Sequence, residues 1–387
     1  MKTSRRNFLR SAAFAGAGAM TGGIIQGCSP KAPESNMPEI IAAVKKIHSQ
    51  RFNMSGYGAP PLPVVRVGLI GLGDRGSGAV QRLSYIEGVE IKALGDLREA
   101  AVKGSQRYLK RTGRPEAAEF FGDNEIWKKL IEMPDLDLIY ICTPWVWHAQ
   151  MAAYAMEQGK HVVCEVPLVR TVDEAWLLVE TSEKTKKHCM MLENCCYDFF
   201  ELLTLNMARQ GLFGDIVHGE GAYIHNLVEM NFKKPDDSRQ TDGAYTGMWR
   251  LRENASRNGN LYPTHGLGPI CQIMNINRGD RMDYLTSMSS NDFTMGKRAN
   301  MLASEDAFYT EFANRKYRGN MNTTVVKTAL GRTIMIQHDI SSVRPYSRLH
   351  VVSGTDGFAM KYPSERIAIG HSWLKDEEMK EVWDKYT

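Results

Sequence analysis

Two groups of residues in this 387-residue sequence are of types that do chemistry. Tyr262 and His265 stand three apart in Asn260-Leu261-Tyr262-Pro263-Thr264-His265-Gly266-Leu267-Gly268-Pro269. Phenol and imidazole both handle protons, and an unperturbed imidazole titrates at about pH 6.5, where a general acid/base is useful. The flanking Gly and Pro residues fix backbone angles that can aim both side chains at one small volume. Alone, the segment also reads as a helix N-terminus with a packed Tyr and His. The second group is Gly71-Leu72-Gly73-Asp74-Arg75-Gly76, a G-x-G-x-x-G run. Its glycines permit a tight turn and let backbone N–H groups approach a pyrophosphate. Asp96, twenty residues beyond Gly76, is spaced to hold ribose hydroxyls. A carboxylate there favours NAD over a 2′-phosphorylated cofactor.

These residues need elements to position them. Val64-Val65-Arg66-Val67-Gly68-Leu69-Ile70 is a β-branched apolar run and predicts a buried strand. The glycine turn follows at once, and a helical stretch runs from it to about residue 87, the context that makes the motif specific. Further strands are predicted over 90–95, 136–142, 161–164 and 189–192. Their carboxyl ends lead into Trp145-Val146-Trp147-His148, Glu165-Val166-Pro167 and Glu193-Asn194. In a doubly wound sheet these ends face the ligand, which sets Trp145, His148, Glu165 and Asn194 along one crevice. Trp147 reads as a packing residue.

The bulk composition is that of a folded protein with room for two domains: 43% hydrophobic, 24% charged, formal net charge +4. No dense Lys/Arg stripe is present, so nucleic acid is not an expected partner. The seven cysteines include no pair with zinc spacing, so most read as buried fillers and no metal is expected. Residues 1–28 read as a targeting segment. Ser4-Arg5-Arg6-Asn7-Phe8-Leu9-Arg10 resembles a twin-arginine export signal, and Ile25-Gln26-Gly27-Cys28 a lipobox with Cys28 accepting the lipid. Expected localisation is the periplasm or outer cell envelope. Any membrane contact would run through that anchor, and homo-oligomerisation is left open. Residues 29–63 read as a tether with a short helix around 38–52, residues 64–194 as the nucleotide domain and residues 195–387 as a substrate domain.

Together these residues resemble the glucose–fructose oxidoreductase/inositol dehydrogenase superfamily. Its members join an α/β Rossmann domain, with a doubly wound and mostly parallel sheet, to an α+β domain with an open, mostly antiparallel sheet. The superfamily's dehydrogenases carry Glu-Lys-Pro where this chain has Glu165-Val166-Pro167, and valine cannot donate a proton. The chain is similar to glycoside hydrolase family 109, the NAD-dependent α-N-acetylgalactosaminidases. Trp145 to His148, Glu165 to Pro167, Met248-Trp249-Arg250-Leu251, Gly259 to Pro269, Asn275 to Asp280 and Arg344-Pro345-Tyr346-Ser347-Arg348 carry the likeness. The resemblance implies that NAD touches Asp74, Arg75, Asp96, Trp145, Val146, Trp147, His148, Glu165, Val166 and Asn194, beside the turn glycines Gly71, Gly73 and Gly76. It implies that a terminal α-N-acetylgalactosamine touches Tyr223, Arg250, Tyr262, Pro263, Thr264, His265 and Tyr346, with His265 and Tyr262 catalytic.

Read on residue type alone, Arg250 is equally an ion-pair partner, and Tyr223 and Tyr346 are core tyrosines. The implied reaction oxidises the sugar at C3, eliminates across C2–C1, adds water and reduces C3 again, with the cofactor regenerated each turnover. Two alternatives stand beside it: an NAD-dependent sugar dehydrogenase or epimerase, and a non-catalytic sugar-binding lipoprotein. The family's sequences run several dozen residues further, so the chain is expected to be C-terminally truncated.

Overall fold

A six-stranded parallel sheet and an eight-stranded mixed sheet organise the chain. In the computed structural model residues 50–234 and 245–387 are described. The export-like leader, Cys28 and the expected helix around 38–52 except its last three residues lie outside the described residues. Residues 50–52 are not helical.

The first sheet has the order β3-β2-β1-β4-β5-β6. Its strands are β1 (Val65–Ile70), β2 (Val89–Gly95), β3 (Ala118–Phe120), β4 (Leu138–Ile141), β5 (His161–Cys164) and β6 (Cys189–Met191). Helices α1 (Asp74–Leu83), α2 (Glu99–Arg111), α3 (Ile126–Ile131), α4 (Trp145–Glu157) and α5 (Val172–Thr185) make the crossovers. The strand order reverses between β1 and β4, so the switch point opens above the ends of those two strands. Each sheet face is covered by its own apolar cluster. Ile139, Ile141, Leu130 and Met156 pack on one side, and Val67, Leu69, Val102 and Leu109 on the other. Such two-sided burial explains why the strands read as continuous apolar runs. The edge strand β3 has only three residues and no apolar run, so it left no mark in the sequence pattern. Helix α1 ends at Leu83, four residues short of the expected end.

The second sheet has the order β14-β13-β12-β11-β7-β10-β9-β8. It contains β7 (Ile216–Ile224), the edge strand β8 (Met282–Ser289), β9 (Met321–Thr328), β10 (Thr333–Asp339) and β11 (Ser347–Gly354). The strands β12 (Gly357–Met360), β13 (Arg366–Ile369) and β14 (Ser372–Trp373) extend it. Pairing is antiparallel except between β7 and β10. Helices α6 (Phe199–Arg209), α7 (Val228–Asn231), α8 (Trp249–Ser256), α9 (Thr264–Ile273), α10 (Met295–Glu305) and α11 (Asp376–Tyr386) complete the domain. Ile270 and Ile273 of α9 pack with Phe200, Leu203, Ile334 and Ile336. That seats α9 against the sheet with its N-terminus toward the ends of β7 and β10. No helix among the described residues is long and apolar enough to cross a membrane.

Candidate active site

The glycine turn is built for a close-lying ligand. Gly71 has φ +88°, which glycine alone adopts without strain. A Cβ on Gly76 would lie 1.8 Å from the Gly71 carbonyl oxygen, so no side chain fits there. The turn therefore presents bare backbone at the start of α1. Asp96, at the end of β2, accepts from Leu72 N–H at 2.7 Å and from Arg98 N–H at 2.9 Å. Its carboxylate is thus fixed beside the turn, where ribose hydroxyls of a dinucleotide belong. These features fit a nicotinamide dinucleotide on the chain's own geometry.

Along the carboxyl ends of β4, β5 and β6 the expected residues divide. Glu165 is buried, accepts from Tyr140 Oη at 3.1 Å and faces Arg75 Nε at 3.4 Å. Val166 is buried among Trp145, Tyr223 and Tyr262. Trp145 heads α4 and turns its ring toward the second domain, whereas Trp147 packs into the parallel-sheet core, as a filler would. Val146 and Asn194 are exposed. His148 does not open onto the crevice through its ring. Nδ1 lies 2.8 Å from Pro167 O and Nε2 2.7 Å from Thr143 O, so the imidazole ties the end of β4 to the turn after β5. Burial pushes its pKa down.

The Tyr-His segment is held from both ends. Gly259 turns the chain at φ +93°, and its carbonyl accepts from the fully buried Arg318, which also donates to His338 O at the end of β10. Leu261 N–H donates to His338 Nδ1 at 3.2 Å, and Asn260 closes a turn onto Tyr262 N–H at 3.1 Å. Pro263 then caps α9, and Thr264 and His265 open it. Helix α9 reaches β7 through paired glycines. A Cβ on Gly221 would lie 2.2 Å from Gly266 O, and one on Gly266 would lie 2.2 Å from Ala222 N. Backbone thus rests on backbone, which brings His265 beside Tyr223 on β7.

The result is an aromatic cluster at the switch-point side of both sheets. The Tyr262 ring stacks on Trp145 with centroids 5.6 Å apart. It meets the His265 ring edge-on at 4.8 Å and Tyr223 at 5.0 Å, and Tyr223 meets His265 at 5.2 Å. The Tyr262 hydroxyl makes no hydrogen bond to any described residue, and burial first, with Tyr223 and the carboxylates of Glu193 and Glu165, holds its pKa far above the ordinary tyrosine range despite Arg250. Tyr223 Oη lies 3.1 Å from His225 Nδ1, and His225 packs edge-on against the half-exposed Tyr346 at 5.0 Å.

Arg250 resolves differently from an ion pair. It has no carboxylate partner among the described residues. Its guanidinium lies 5.1, 4.9 and 5.0 Å from the rings of Trp145, Tyr245 and Tyr262, and Nη1 donates to Tyr245 Oη at 2.6 Å. Arg250 Nε and Asn260 Nδ2 are buried donors without partners. Unsatisfied buried donors are costly, so both atoms keep donor capacity for a polar group.

Sequence reasoning missed Glu193. It follows β6 and accepts from Cys195 N–H at 2.9 Å, and its Oε1 lies 2.7 Å from His265 Nδ1. Its only sequence signal is its place at a strand's carboxyl end. The donor atoms of Glu193, Cys195 and His265 all lie within 4.8 Å of one another. All six described cysteines are free, and burial raises the Cys195 and Cys196 thiols to about 12.

Residues 65–193 match the oxidoreductase family with the NAD-binding Rossmann fold, and residues 197–387 match the glycosyl hydrolase 109 C-terminal domain. An alpha-N-acetylgalactosaminidase of Bacteroides fragilis is 49% identical over 335 residues, covering 86% of this chain and 77% of that protein. A glycosyl hydrolase family 109 protein of Shewanella pealeana is 43% identical, covering 100% of this chain and 81% of its own length. The solved structure of myo-inositol 2-dehydrogenase from Lactobacillus plantarum superposes with TM-score 0.57 at 17% identity, covering 83% of this chain and 86% of that one. It shares the fold.

Proposed function

The chain belongs to glycoside hydrolase family 109, and from that premise we propose that it hydrolyses a terminal α-N-acetylgalactosaminide with a bound NAD. The observation that carries the proposal is the Tyr223–Tyr262–His265 cluster beside the ligand side of a dinucleotide-binding sheet, with the buried Val166 where a dehydrogenase of this superfamily has its lysine. NAD would be held by the Gly71–Gly76 turn, Asp74, Arg75, Asp96, Trp145, Val146, Glu165, Val166 and Asn194, and would supply a reversible hydride acceptor for C3 of the sugar.

The chain's own residues then position the sugar and move protons. Arg250, Pro263, Thr264, Tyr223 and Tyr346 surround the sugar, and the unpartnered Arg250 Nε supports a polar group seated there. His265 takes and returns the proton through Nε2, and the Tyr262 hydroxyl is the second proton-handling group. A C3 ketone acidifies the C2–H bond, so a base at C2 suffices to expel the C1 oxygen, with no carboxylate pair needed. Aryl α-N-acetylgalactosaminide should release its phenol with no lasting rise in nicotinamide absorbance. Accumulating NADH with sugar ketone, and no phenol, would establish a dehydrogenase instead.

We further propose that the chain is exported by the twin-arginine route and anchored through a lipid at Cys28. The motivation is the order of Arg5-Arg6, the apolar run and Gly27-Cys28. Cys28→Ala should move the protein from the membrane fraction to the soluble fraction. An unchanged distribution would refute the anchor.

A further inference from the structure

The assignment of His265 as acid/base leaves open what holds its ring and which nitrogen is free. A carboxylate can only accept, so the 2.7 Å contact with Glu193 Oε1 puts the proton on Nδ1. In the neutral ring the lone pair is then on Nε2, which has no hydrogen-bond partner among the described residues. The groups facing the imidazole are Glu193, the thiol of Cys195, and the rings of Tyr262 and Tyr223. Arg250 lies beyond Tyr262, and Arg348 lies against Cys195.

The approach of Glu193 is built into α9. A Cβ on Gly268, one turn beyond His265 on the same face, would lie 2.9 Å from Glu193 Cγ and 2.9 Å from Cys196 Sγ. The bare position at Gly268 is the space through which Glu193 reaches the ring. Both side chains are buried, at 6% exposure for Glu193 and 11% for His265, so the pair is little screened by solvent. Burial alone would raise the Glu193 pKa, but His265 first, then Cys195 N–H, hold it below the ordinary carboxylate range, so the anion persists.

We propose that Glu193 is the positioning residue of His265, fixing the Nδ1–H tautomer so that the Nε2 lone pair faces the volume between Tyr223 and Tyr262. The proton leaving the sugar binds Nε2. The resulting imidazolium keeps Nδ1–H on Glu193, which stays ionised, and Nε2 later gives the proton back. The inference rests on the reading of His265 as the acid/base and assigns the group that makes it one.

The test uses the full chain loaded with NAD and three variants. Glu193→Gln keeps the shape and an acceptor oxygen but removes the charge. Its kcat should fall roughly 10–10³-fold with KM and NAD content nearly unchanged, as for a lost orienting carboxylate. The pH–kcat profile of the variant should differ from that of wild type, because the charge beside the ring is gone. Nitrogen-15 NMR of labelled histidine should show a ring no longer held as the pure Nδ1–H tautomer. An unchanged kcat and pH profile, with His265→Ala inactive, overturns the role of Glu193 and leaves the reading of His265 intact. If His265→Ala itself turns over normally, that reading fails, and this inference with it. Should Glu193→Gln not fold, Gly268→Ala decides. It displaces the carboxylate by a methyl group, and a wild-type pH profile and kcat there overturn the proposal.

Discussion

Tyr262→Phe separates chemistry from packing better than any other single change in this site. The Tyr262 ring is clamped by Trp145, Tyr223, His265 and the Arg250 guanidinium, while its hydroxyl bonds to nothing described. Removing only the oxygen therefore keeps every ring contact and breaks no hydrogen bond. Stability should stay within about 1 kcal/mol of wild type. Truncation to Ala, by contrast, empties a buried aromatic site and should cost about 3–5 kcal/mol. If the hydroxyl handles a proton, kcat in the Phe variant should fall roughly 10²–10⁴-fold. At about 1.36 kcal/mol per decade that is about 2.7–5.4 kcal/mol of barrier, far beyond the stability change, so the two effects cannot be confused. Thermal unfolding, bound-NAD content and phenol release from an aryl α-N-acetylgalactosaminide measure all three quantities on one preparation. A Phe variant with wild-type stability and kcat within about threefold of wild type would show that the hydroxyl takes no part in the chemistry, since an acid/base contributes at least ~10².

Asp96→Ala should weaken NAD roughly 10–150-fold, the worth of charge-assisted hydrogen bonds to ribose, and should loosen the turn whose Leu72 N–H it holds. Titration calorimetry with an unchanged affinity would refute the ribose contact. Val166→Lys places an amine in a buried apolar cluster and should not raise glycoside hydrolysis, while net sugar oxidation, followed by nicotinamide absorbance, should increase. A large gain in hydrolysis would contradict it. Product formed in heavy water should carry deuterium at C2; its absence together with no isotope effect from C2-deuterated substrate would exclude slow C2 deprotonation.

Stability should also depend on pH through His350, whose pKa burial lowers to about 3 and whose Nε2 lies 2.8 Å from Thr204 Oγ1. The unfolded chain binds that proton more readily, so the contribution is full above about pH 6.5 and is lost as pH falls toward about 3. The melting temperature of His350→Asn should fall less over that window than that of wild type. Parallel curves would show that another group governs acid unfolding.

The nucleotide half was legible because its signals are local. A β-branched run, three glycines and an acid twenty residues on are joined by one strand–turn–helix–strand unit. The mixed sheet was legible only through family likeness, since the parallel β7–β10 pair joins strands more than a hundred residues apart. Glu193 escaped for the same reason, its partner lying 72 residues away. Arg250 shows the limit most plainly. Its type allows an ion pair, and only folding brings Trp145, Tyr245 and Tyr262 around it to make an aromatic box instead. His148 looked like a ligand residue by position, but its ring is consumed by two backbone carbonyls.

The paired glycines at the crossing of β7 and α9 bear on how this enzyme can change over generations. Contacts between side chains drift by small steps, a methyl group at a time, and neighbours absorb each step. Contact between Gly221 and Gly266 is main chain on main chain, and its smallest step is a methyl group at 2.2 Å from an atom that cannot yield. The separation of Tyr223 from His265 is therefore closed to gradual adjustment. Tyr346, which stands half exposed, is under no such backbone constraint. A lineage built on this crossing is free to vary at Tyr346 and bound at the glycine pair.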